Sequence, residues 1–412
     1  MSCAAGLYKE QKFMSFKQKK FLDNPYLDNI KSKVTSCILN DEKKYEVILE
    51  NTIFYPHLSG GQPKDEGTVN GIEVLNVYEQ DENIIHILSE AVYGEVELNI
   101  NFEKRFDHMQ QHSGQHILSC AFSNLYNAKT IGFHLSGEYT TIDLDSAEFD
   151  NDKIRAIEEY CNKIIYDNIK IESCILSHDE ALKTGLRKQP VDDEAIRIVR
   201  IGDKDNVACC GTHVNYTGEI GVVKIIKFEK YKSGTRVEFL CGKRALSDYI
   251  NKNNDIQILS NAFSCHTSML AENVLKFKNE SGLLVKKISM LQDKINQYEA
   301  ENFIKSAICI NDINYSLNML KDRDIKDLRF IVSKITENDN YFCAFVIDNS
   351  DSCSIMIGQS ANLNIDIKDI YGKCSDIIEA KGGGNNKMIQ GTGKKVEAAD
   401  ECFNILKNYL IG

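Results

Sequence analysis

A 4-3 repeat of apolar side chains over residues 266–303 divides this chain of 412 residues. Eight of the nine repeat positions are apolar, and the nine are Leu270, Val274, Phe277, Ser281, Leu284, Ile288, Leu291, Ile295 and Tyr298. This spacing predicts one long helix with an apolar seam along one side. Two alternatives are open for the seam. It packs on the helix's own domain, or it forms a coiled coil, either as a hairpin within the chain or as a homodimer through 266–303.

The segments on either side of this helix have different patterns. Residues 26–100 alternate apolar and polar side chains, which predicts an all-β domain, and Asn70-Gly71 is a strong signal for a two-residue hairpin turn. Residues 101–245 mix helical and strand patterns, which predicts an antiparallel sheet covered by helices. Residues 306–412 predict a small α/β domain with a Gly-rich loop before its last helix. The predicted fold class is therefore α+β with several domains.

Composition narrows the possible classes of protein. Hydrophobic residues make up 42% of the chain and charged residues 26%, which is ordinary for a soluble globular protein. No apolar run approaches the ~18 residues that a transmembrane helix needs, and the N-terminus does not resemble a signal peptide. The 14 cysteines are scattered, so we expect reduced thiols, a cytoplasmic location and no membrane partner. The net charge of −11 argues against a general nucleic-acid coat protein but leaves room for local basic patches.

Two short windows hold the residues best suited to bind a metal. On a helix, positions four apart share one face, so His112 and His116 can both point at one ion. The second window offers Cys209 and His213 in a CxxxH arrangement. Three imidazoles and one thiolate are a donor set that suits Zn²⁺, so we expect one zinc ion per chain.

Alternative interpretations of these windows stay open. An HxxxH or a CxxxH alone is weak evidence for a metal, because surface and core histidines are common. A metalloprotease is excluded, because its HExxH motif needs a Glu where Ser113 stands. Cys210 competes with Cys209 as the thiol ligand, although a small buried residue without a ligand role is the simpler interpretation of Cys210.

Three motifs occur in a fixed order along the chain. The first motif is FYPHLSGGQPKDEG at 54–67. The second has two parts, RFDHMQQHSGQHIL at 105–118 and ACCGTHV at 208–214. The third is KGGGNNKMIQGTG at 381–393. The first two resemble the editing domain of alanyl-tRNA synthetases and of the free-standing AlaX trans-editing proteins. The third resembles the Gly-rich segment of the DHHA1-type C-terminal domain. In order and extent, the chain resembles the long form of AlaX.

The resemblance implies a division of the chain into domains. After an N-terminal tail over 1–25, we expect a β-barrel over 26–100 that carries the Gly-rich motif. A zinc-dependent editing domain over 101–245 follows, and a helical or coiled-coil linker over 246–305 leads to a DHHA1-like tRNA-binding domain over 306–412. Because only about 100 residues precede the histidine window, we expect no aminoacylation activity.

The same resemblance implies a reaction. The expected activity is hydrolysis of the ester in mischarged tRNA(Ala), with Ser-tRNA(Ala) as the substrate and Gly-tRNA(Ala) left open. Such an activity is needed because an alanine pocket cannot strongly reject serine or glycine. Zinc would lie on His112, His116, Cys209 and His213, and would either act on the ester directly or order the pocket.

Further site residues follow from the resemblance. Thr130 would read the serine hydroxyl, and Gly60, Gly61 and Gln62 would form a flexible loop over the pocket. The acceptor end of tRNA(Ala) is the expected partner. The residues expected to contact its phosphates are Lys381, Gly382, Gly383, Gly384, Lys387, Gly391, Gly393 and Lys394.

Two rival functions remain at this point. A non-catalytic tRNA-binding zinc protein of the same fold would bind tRNA without deacylating it. A structural zinc protein dimerised through 266–303 would lose its fold on chelation and bind no RNA.

Overall fold

The computed structural model describes residues 18–57, 61–137, 139–146, 149–190 and 193–411. The described fold is mixed α+β, as predicted, and contains a closed six-stranded barrel and three further sheets. The chain divides into two compact units between Ile258 and Leu259. Over the described ranges, no helix combines the length and the apolar character needed to cross a membrane.

The barrel confirms the all-β prediction for residues 26–100. A short helix, α1 (Lys20–Asp23), precedes it. Its strands are β1 (Asn29–Leu39), β2 (Tyr45–Leu49), β3 (Gly67–Val69), β4 (Ile72–Gln80), β5 (Asn83–Leu88) and β6 (Glu95–Ile100). They close in the order β1-β2-β5-β4-β3-β6. Asn70 and Gly71 join β3 to β4 with φ values of 51° and 81°, which is the backbone that the predicted two-residue turn requires.

The rest of the first unit carries the metal-binding windows. Its helices are α2 (Phe102–Tyr126), α3 (Asn151–Tyr166), α4 (His178–Leu182) and the start of α5 (Gly242–Ala262). One sheet has the order β12-β13-β8-β7, from β7 (Thr130–Leu135), β8 (Thr140–Leu144), β12 (Val223–Tyr231) and β13 (Gly234–Cys241). The other has the order β11-β10-β9, from β9 (Ile171–Ser177), β10 (Ala195–Ile201) and β11 (Asp205–Ala208).

The prediction of a single antiparallel sheet for 101–245 is therefore wrong, because the structure has two separate sheets in this range. Alternation of apolar residues identifies strands but does not identify their partners. Helix α3 lies between β8 and β9 along the chain, and the strands after it pair with one another or return to β8. Helix α2 begins where the Asn101 side chain accepts a hydrogen bond from the Lys104 backbone N–H, and it ends at Asn127, which has a φ of 52°.

The second unit is a sheet with helices on both faces. Its helices are α6 (Leu270–Lys305), α7 (Ile325–Thr336), α8 (Ile367–Ile378) and α9 (Ala399–Ile411). Its strands are β14 (Ile308–Ile310), β15 (Ile313–Lys321), β16 (Tyr341–Asp348), β17 (Cys353–Gln359), β18 (Lys381–Gly384) and β19 (Met388–Gly393). Their order is β14-β15-β16-β17-β19-β18, and β15 pairs with β16 in parallel. Alternate residues of β16 pack on α7 and on α9, which explains its continuous apolar run.

The Gly-rich segment of this unit is a β-hairpin of β18 and β19, and the predicted loop is wrong. A Cβ on Gly382 would overlap the Gln390 carbonyl, and a Cβ on Gly393 would overlap the Ile378 carbonyl. The glycines thus allow backbones to approach closely, a use that strand propensity does not reveal.

The long helix predicted from the 4-3 repeat is confirmed as α6. Its C-terminal end packs on its own unit, where Ala300 joins the cluster that contains α7. Most of the seam does not pack there, since the exposed fractions of Leu284, Ile288 and Leu291 are 59%, 65% and 51%. The fold of the chain thus leaves an apolar stripe uncovered.

Candidate metal centre

The structure brings the four predicted ligands together. Helix α2 supplies His112 and His116, and the loop after β11 supplies Cys209 and His213. One potential ligand atom from each lies within 4.8 Å of the others. The Cys209 Sγ is 3.4 Å from the Nε2 atoms of both His112 and His213. Three nitrogens and one sulfur at these separations fit a single tetrahedral ion such as Zn²⁺.

The loop between Cys209 and His213 is shaped by a glycine and an arginine. A Cβ on Gly211 would overlap the His112 ring, so only glycine allows the loop to approach α2 this closely. The buried Arg197 of β10 donates to the carbonyl oxygens of Cys209 and Gly211 at 2.9 and 3.0 Å. These contacts fix the backbone that presents the thiol.

Cys210 stands apart from the four-residue cluster. Its side chain is exposed and lines the adjacent pocket, and in the described part of the chain the cluster contains Cys209 as its only thiol. The geometry therefore favours Cys209 as the candidate ligand. The small buried residue that the simpler interpretation expected at 210 is not what the structure shows.

Each histidine of the cluster has a polar neighbour at Nδ1. The Gln62 Oε1 is 3.1 Å from His112 Nδ1, and the Ser113 Oγ is 3.1 Å from His213 Nδ1. An Asp205 carboxylate oxygen lies 3.7 Å from His116 Nδ1. With these polar groups on the Nδ1 side of each ring, Nε2 is the nitrogen available to a metal ion.

The electrostatics of the cluster favour a thiolate. Burial opposes ionisation of the Cys209 thiol, but the three histidines beside it hold its pKa well below the ordinary value. Burial lowers the pKa of His213 to about 3. For His116, burial disfavours the proton, but the charges of Cys209 and Asp205 outweigh burial and raise the pKa to about 9. A thiolate is the form that binds a metal, so the local field prepares the site for a cation.

A pocket of about 620 Å³ opens beside the cluster. Its lining includes His112, Gln115, His116, Thr130, Arg187, Lys188 and Cys209. The Thr130 hydroxyl donates to Ser119 Oγ at 2.7 Å, and the Gln115 Nε2 donates to the same oxygen at 2.7 Å. Thr130 therefore lies at the wall of the pocket with its own proton already engaged.

The Gly-rich motif near the pocket is partly described. Gly60 lies outside the described residues. Gly61 has a φ of 82° and lies against the Phe133 ring, which stacks on His112. Gln62 is only 1% exposed and bonds to Thr212 and His112. At Gln62, therefore, the structure has a buried contact and not the exposed, flexible loop that the resemblance implied.

The predicted tRNA-contact residues all belong to the second unit. Lys381, Gly382, Gly383, Gly384 and Lys394 are exposed. Gly391 and Gly393 are buried, so they do not offer their backbone to a phosphate.

Lys387 is exposed, but its ammonium is already engaged. It donates to the carbonyls of Ser360, Ala361 and Leu363 at 3.4, 2.9 and 2.8 Å. These bonds anchor the hairpin to its own unit, which gives this lysine a structural role.

Comparisons with known proteins place the chain in a family. The family described as "Threonyl and Alanyl tRNA synthetase second additional domain" matches residues 196–238, which include β10 and the Cys209–His213 loop. The alanyl-tRNA editing protein AlaX-L of Pyrococcus horikoshii is 30% identical over 405 residues, covering 94% of this chain and 97% of that protein. The chain belongs to the AlaX family of alanyl-tRNA editing proteins.

Other relatives of this AlaX-family chain differ in length. The alanyl-tRNA editing protein Aarsd1 of Mus musculus is 28% identical over 373 residues, and the aligned region covers 89% of this chain and 89% of that protein. An alanine--tRNA ligase of Methanobrevibacter smithii is 26% identical, and the aligned region covers 95% of this chain but only 45% of the ligase.

Several residues around the candidate metal centre were not identified from the sequence. Asp205 lies near His116 and is bound by Arg187 at 2.8 and 3.2 Å, and Arg197 fixes the thiol loop. None of these stands at a spacing that marks a ligand. Asp65 belongs to the 54–67 motif, and that motif was the available signal for it. Gln62 of the same motif was predicted as a site residue, but as part of a flexible loop over the pocket.

Proposed function

We propose that this chain hydrolyses the ester of mischarged tRNA(Ala), with Ser-tRNA(Ala) as its principal substrate. The observation that carries the proposal is the cluster of His112, His116, Cys209 and His213 at the wall of a pocket that also contains Thr130. Family membership supports it, since the AlaX-L relative is named an alanyl-tRNA editing protein. The Gly-tRNA(Ala) ester is the second substrate to be assayed.

Zinc would be held by the Nε2 atoms of the histidines and the Cys209 thiolate. When bound, it supplies a positive charge that polarises an ester carbonyl or lowers the pKa of a water molecule. Ser113, which stands where a metalloprotease has its basic Glu, has its hydroxyl next to His213 and bonded to the Val214 N–H. Ser113 therefore orients the His213 ring and does not act as a general base.

Thr130 supplies the proposed discrimination between serine and alanine. Because its hydroxyl donates to Ser119, the Thr130 oxygen keeps lone pairs that can accept a hydrogen bond from a serine hydroxyl in the pocket. An alanyl ester has no such donor and leaves that oxygen unpaired when the pocket is filled, which costs ~1–3 kcal/mol.

The pocket also suits the 3′ end of tRNA. Lys188 and Arg187 line it and carry positive charge, and phosphate contacts from such side chains orient a nucleic acid without reading its sequence. We place the terminal adenosine in this pocket, with its phosphate near Lys188. Arg187 remains bound to Asp205 in this arrangement.

A deacylation assay tests the proposed reaction. Purified chain loaded with Zn²⁺ is expected to release serine from Ser-tRNA(Ala), while Ala-tRNA(Ala) stays intact. The non-catalytic alternative predicts tRNA binding without release of serine. That alternative is favoured by one observation, the exposed Cys210 thiol in the pocket. Release of serine at the uncatalysed rate, from a chain shown to bind both zinc and tRNA, contradicts the proposed hydrolase.

The proposed location is the cytoplasm, where tRNA is charged. The 13 described cysteines are all free, as expected in a reducing compartment. A fractionation experiment with an antibody to the chain tests this location, and recovery in an oxidising compartment contradicts it.

The exposed seam of α6 supports a homodimer through 266–303. Leu284, Ile288 and Leu291 form a stripe of a kind that coiled coils bury. Light scattering of the full chain is expected to give twice the 46.7 kDa monomer mass, and Leu284→Lys with Ile288→Lys is expected to give a monomer. A monomeric wild-type chain at micromolar concentration contradicts the homodimer.

A further inference from the structure

Gln62 joins two parts of the metal centre that are far apart in the chain. Its side chain is buried, and its Oε1 lies 3.1 Å from the Thr212 N, the Thr212 Oγ1 and the His112 Nδ1. Thr212 stands inside the loop that carries Cys209 and His213. One amide oxygen therefore touches both the ligand helix and the ligand loop.

The chemistry of these contacts fixes the orientation of the amide. A backbone N–H can only donate, so the atom facing the Thr212 N must be the Gln62 oxygen and not its nitrogen. That oxygen cannot donate a hydrogen bond. The His112 Nδ1, 3.1 Å from the same oxygen, must then carry a proton. His112 therefore has its lone pair on Nε2, the atom that faces Cys209.

The other two histidines have no neighbour that determines the tautomer in this way. Ser113 Oγ beside His213 is a hydroxyl, which can donate or accept. The Asp205 oxygen beside His116 is 3.7 Å away, which is too long for a hydrogen bond. Gln62 is thus the one described neighbour whose contacts dictate which ring nitrogen is free for the ion.

The segment that follows Gln62 is held by a buried ion pair between Asp65 and Arg105. Asp65 accepts hydrogen bonds from the Tyr55 N–H at 2.6 Å and from the Arg105 guanidinium, and Arg105 also donates to the Ile53 carbonyl at 2.6 Å. Arg105 lies on α2, two turns before His112, and is fully buried. Asp65, three residues after Gln62, therefore attaches this segment to helix α2, the helix that carries His112.

We propose that Gln62 is a positioning residue for the metal, which holds His112 in the Nδ1-protonated form and docks the Thr212 backbone beside it. This inference rests on the proposed zinc centre. It differs from the role that the resemblance implied, in which Gln62 lies in a flexible loop over the substrate. Residues that orient a histidine ligand in this way change metal affinity by about 10–100-fold.

Three variants of the full chain test the proposal. Gln62→Leu removes the acceptor at similar size, and Gln62→Glu keeps an oxygen that accepts from both His112 and Thr212. Thr52→Val is the matched control, because Thr52 is a buried barrel residue that bonds to His86 and to the Phe54 N–H, at 2.8 and 3.1 Å, and is not part of the cluster. Zinc affinity is measured by competition with a chromophoric chelator, and the absorption spectrum of the Co²⁺-loaded chain reports ligand geometry.

The expected result separates the variants by metal binding and not by stability. Gln62→Leu is expected to lose ~10–100-fold in zinc affinity and to alter the Co²⁺ spectrum. Gln62→Glu is expected to keep both close to wild type, and Thr52→Val is expected to keep both while its melting temperature falls.

Three outcomes overturn the proposal. Wild-type zinc affinity in Gln62→Leu, with deacylation impaired, assigns Gln62 to the substrate. An equal loss of affinity in Thr52→Val assigns the effect to barrel stability. If the wild-type chain binds neither Zn²⁺ nor Co²⁺, the proposed metal centre itself fails, and this result is distinguishable from the first two.

Discussion

The two compact units of this chain use their distinctive residues in opposite ways. In the first unit, the three histidines of the cluster are buried, and their neighbours Gln62, Ser113 and Asp205 are buried as well. In the second unit, the basic and Gly-rich strand Lys381–Gly384 is exposed along its whole length. The candidate chemistry of the first unit is therefore assembled from groups within the chain, whereas the exposed strand of the second unit is accessible to an external partner.

Glycine serves different purposes in the two units. Gly211 lets a loop approach the His112 ring, and so it determines the geometry of the candidate site. Gly382 and Gly384 let two strands of a hairpin approach each other, and they leave a surface without side chains. The same residue type therefore supports a ligand in one unit and a flat exposed edge in the other.

The largest effect is expected when two of the candidate metal ligands of the first unit are removed. His112→Ala with His116→Ala is expected to abolish zinc binding, with a loss greater than ~100-fold, and to stop release of serine from Ser-tRNA(Ala). The control is His134→Ala, an exposed histidine on β7. Measured by metal analysis and deacylation, full activity in the double variant would show that the cluster is not the active centre.

Acid is expected to act mainly on the first unit. Burial lowers the pKa of His86 from its ordinary value of 6.5 to about 4. The unfolded chain therefore binds a proton between pH 6.5 and 4 that the folded barrel does not, and stability is lost as the pH falls through this window. At 1.36 kcal/mol per pKa unit, the loss is about 3 kcal/mol.

Denaturant unfolding between pH 7 and pH 4 measures this loss. His86→Gln is expected to remove about 3 kcal/mol of the pH-dependent part of the unfolding free energy. The single histidine of the second unit, His266, is exposed, and His266→Gln serves as the control. An unchanged pH dependence in His86→Gln would contradict the prediction.

Thr130 tests whether the pocket of the first unit reads the amino acid. Thr130→Val is expected to lower kcat/KM for Ser-tRNA(Ala) by ~10–100-fold, since one buried hydrogen bond to the substrate is lost. Zinc affinity is expected to stay unchanged, because Thr130 is not in the cluster. Thr130→Ser keeps the hydroxyl and is expected to restore most of the activity. If Val and Ser variants behave alike, the hydroxyl has no role in recognition.

The smallest expected effect lies in the second unit. Lys381→Glu with Lys394→Glu is expected to weaken tRNA binding several-fold and to reduce its salt dependence, because phosphate contacts release counterions. Lys368→Glu with Lys373→Glu, on α8, makes the same charge change and is the control. Filter-binding isotherms at two salt concentrations measure the effect. Equal weakening by both pairs would assign it to net charge alone.

Strong local patterns made much of the fold predictable. The turn at Asn70-Gly71, the long helix α6 and the convergence of His112 and His116 all follow from spacings within a few residues. Pairing between distant strands has no such local signal, which is why one sheet was expected where two exist. The hairpin Lys381–Gly393 was expected to be a loop because glycine has no strand propensity of its own.

The candidate site divides in the same way. The four candidate ligands stand at spacings that suit a metal, and so the sequence predicts them. Asp205, Arg197 and the buried contacts of Gln62 depend on tertiary neighbours that no spacing reveals. The choice of Cys209 over Cys210 as the thiol of the cluster likewise depends on the folded loop, because the two cysteines are adjacent in the chain.

The separation of 97 residues between His112 and Cys209 has a consequence for how the chain is made. While the ribosome has released only helix α2, the nascent polypeptide offers two imidazoles, which is half of a tetrahedral coordination shell. The remaining candidate donors emerge only after the three strands of the sheet β11-β10-β9 have been synthesised, and before strands β12 and β13. Capture of an ion at the proposed centre would therefore have to wait for the loop after β11, and it would report that this loop has docked on helix α2.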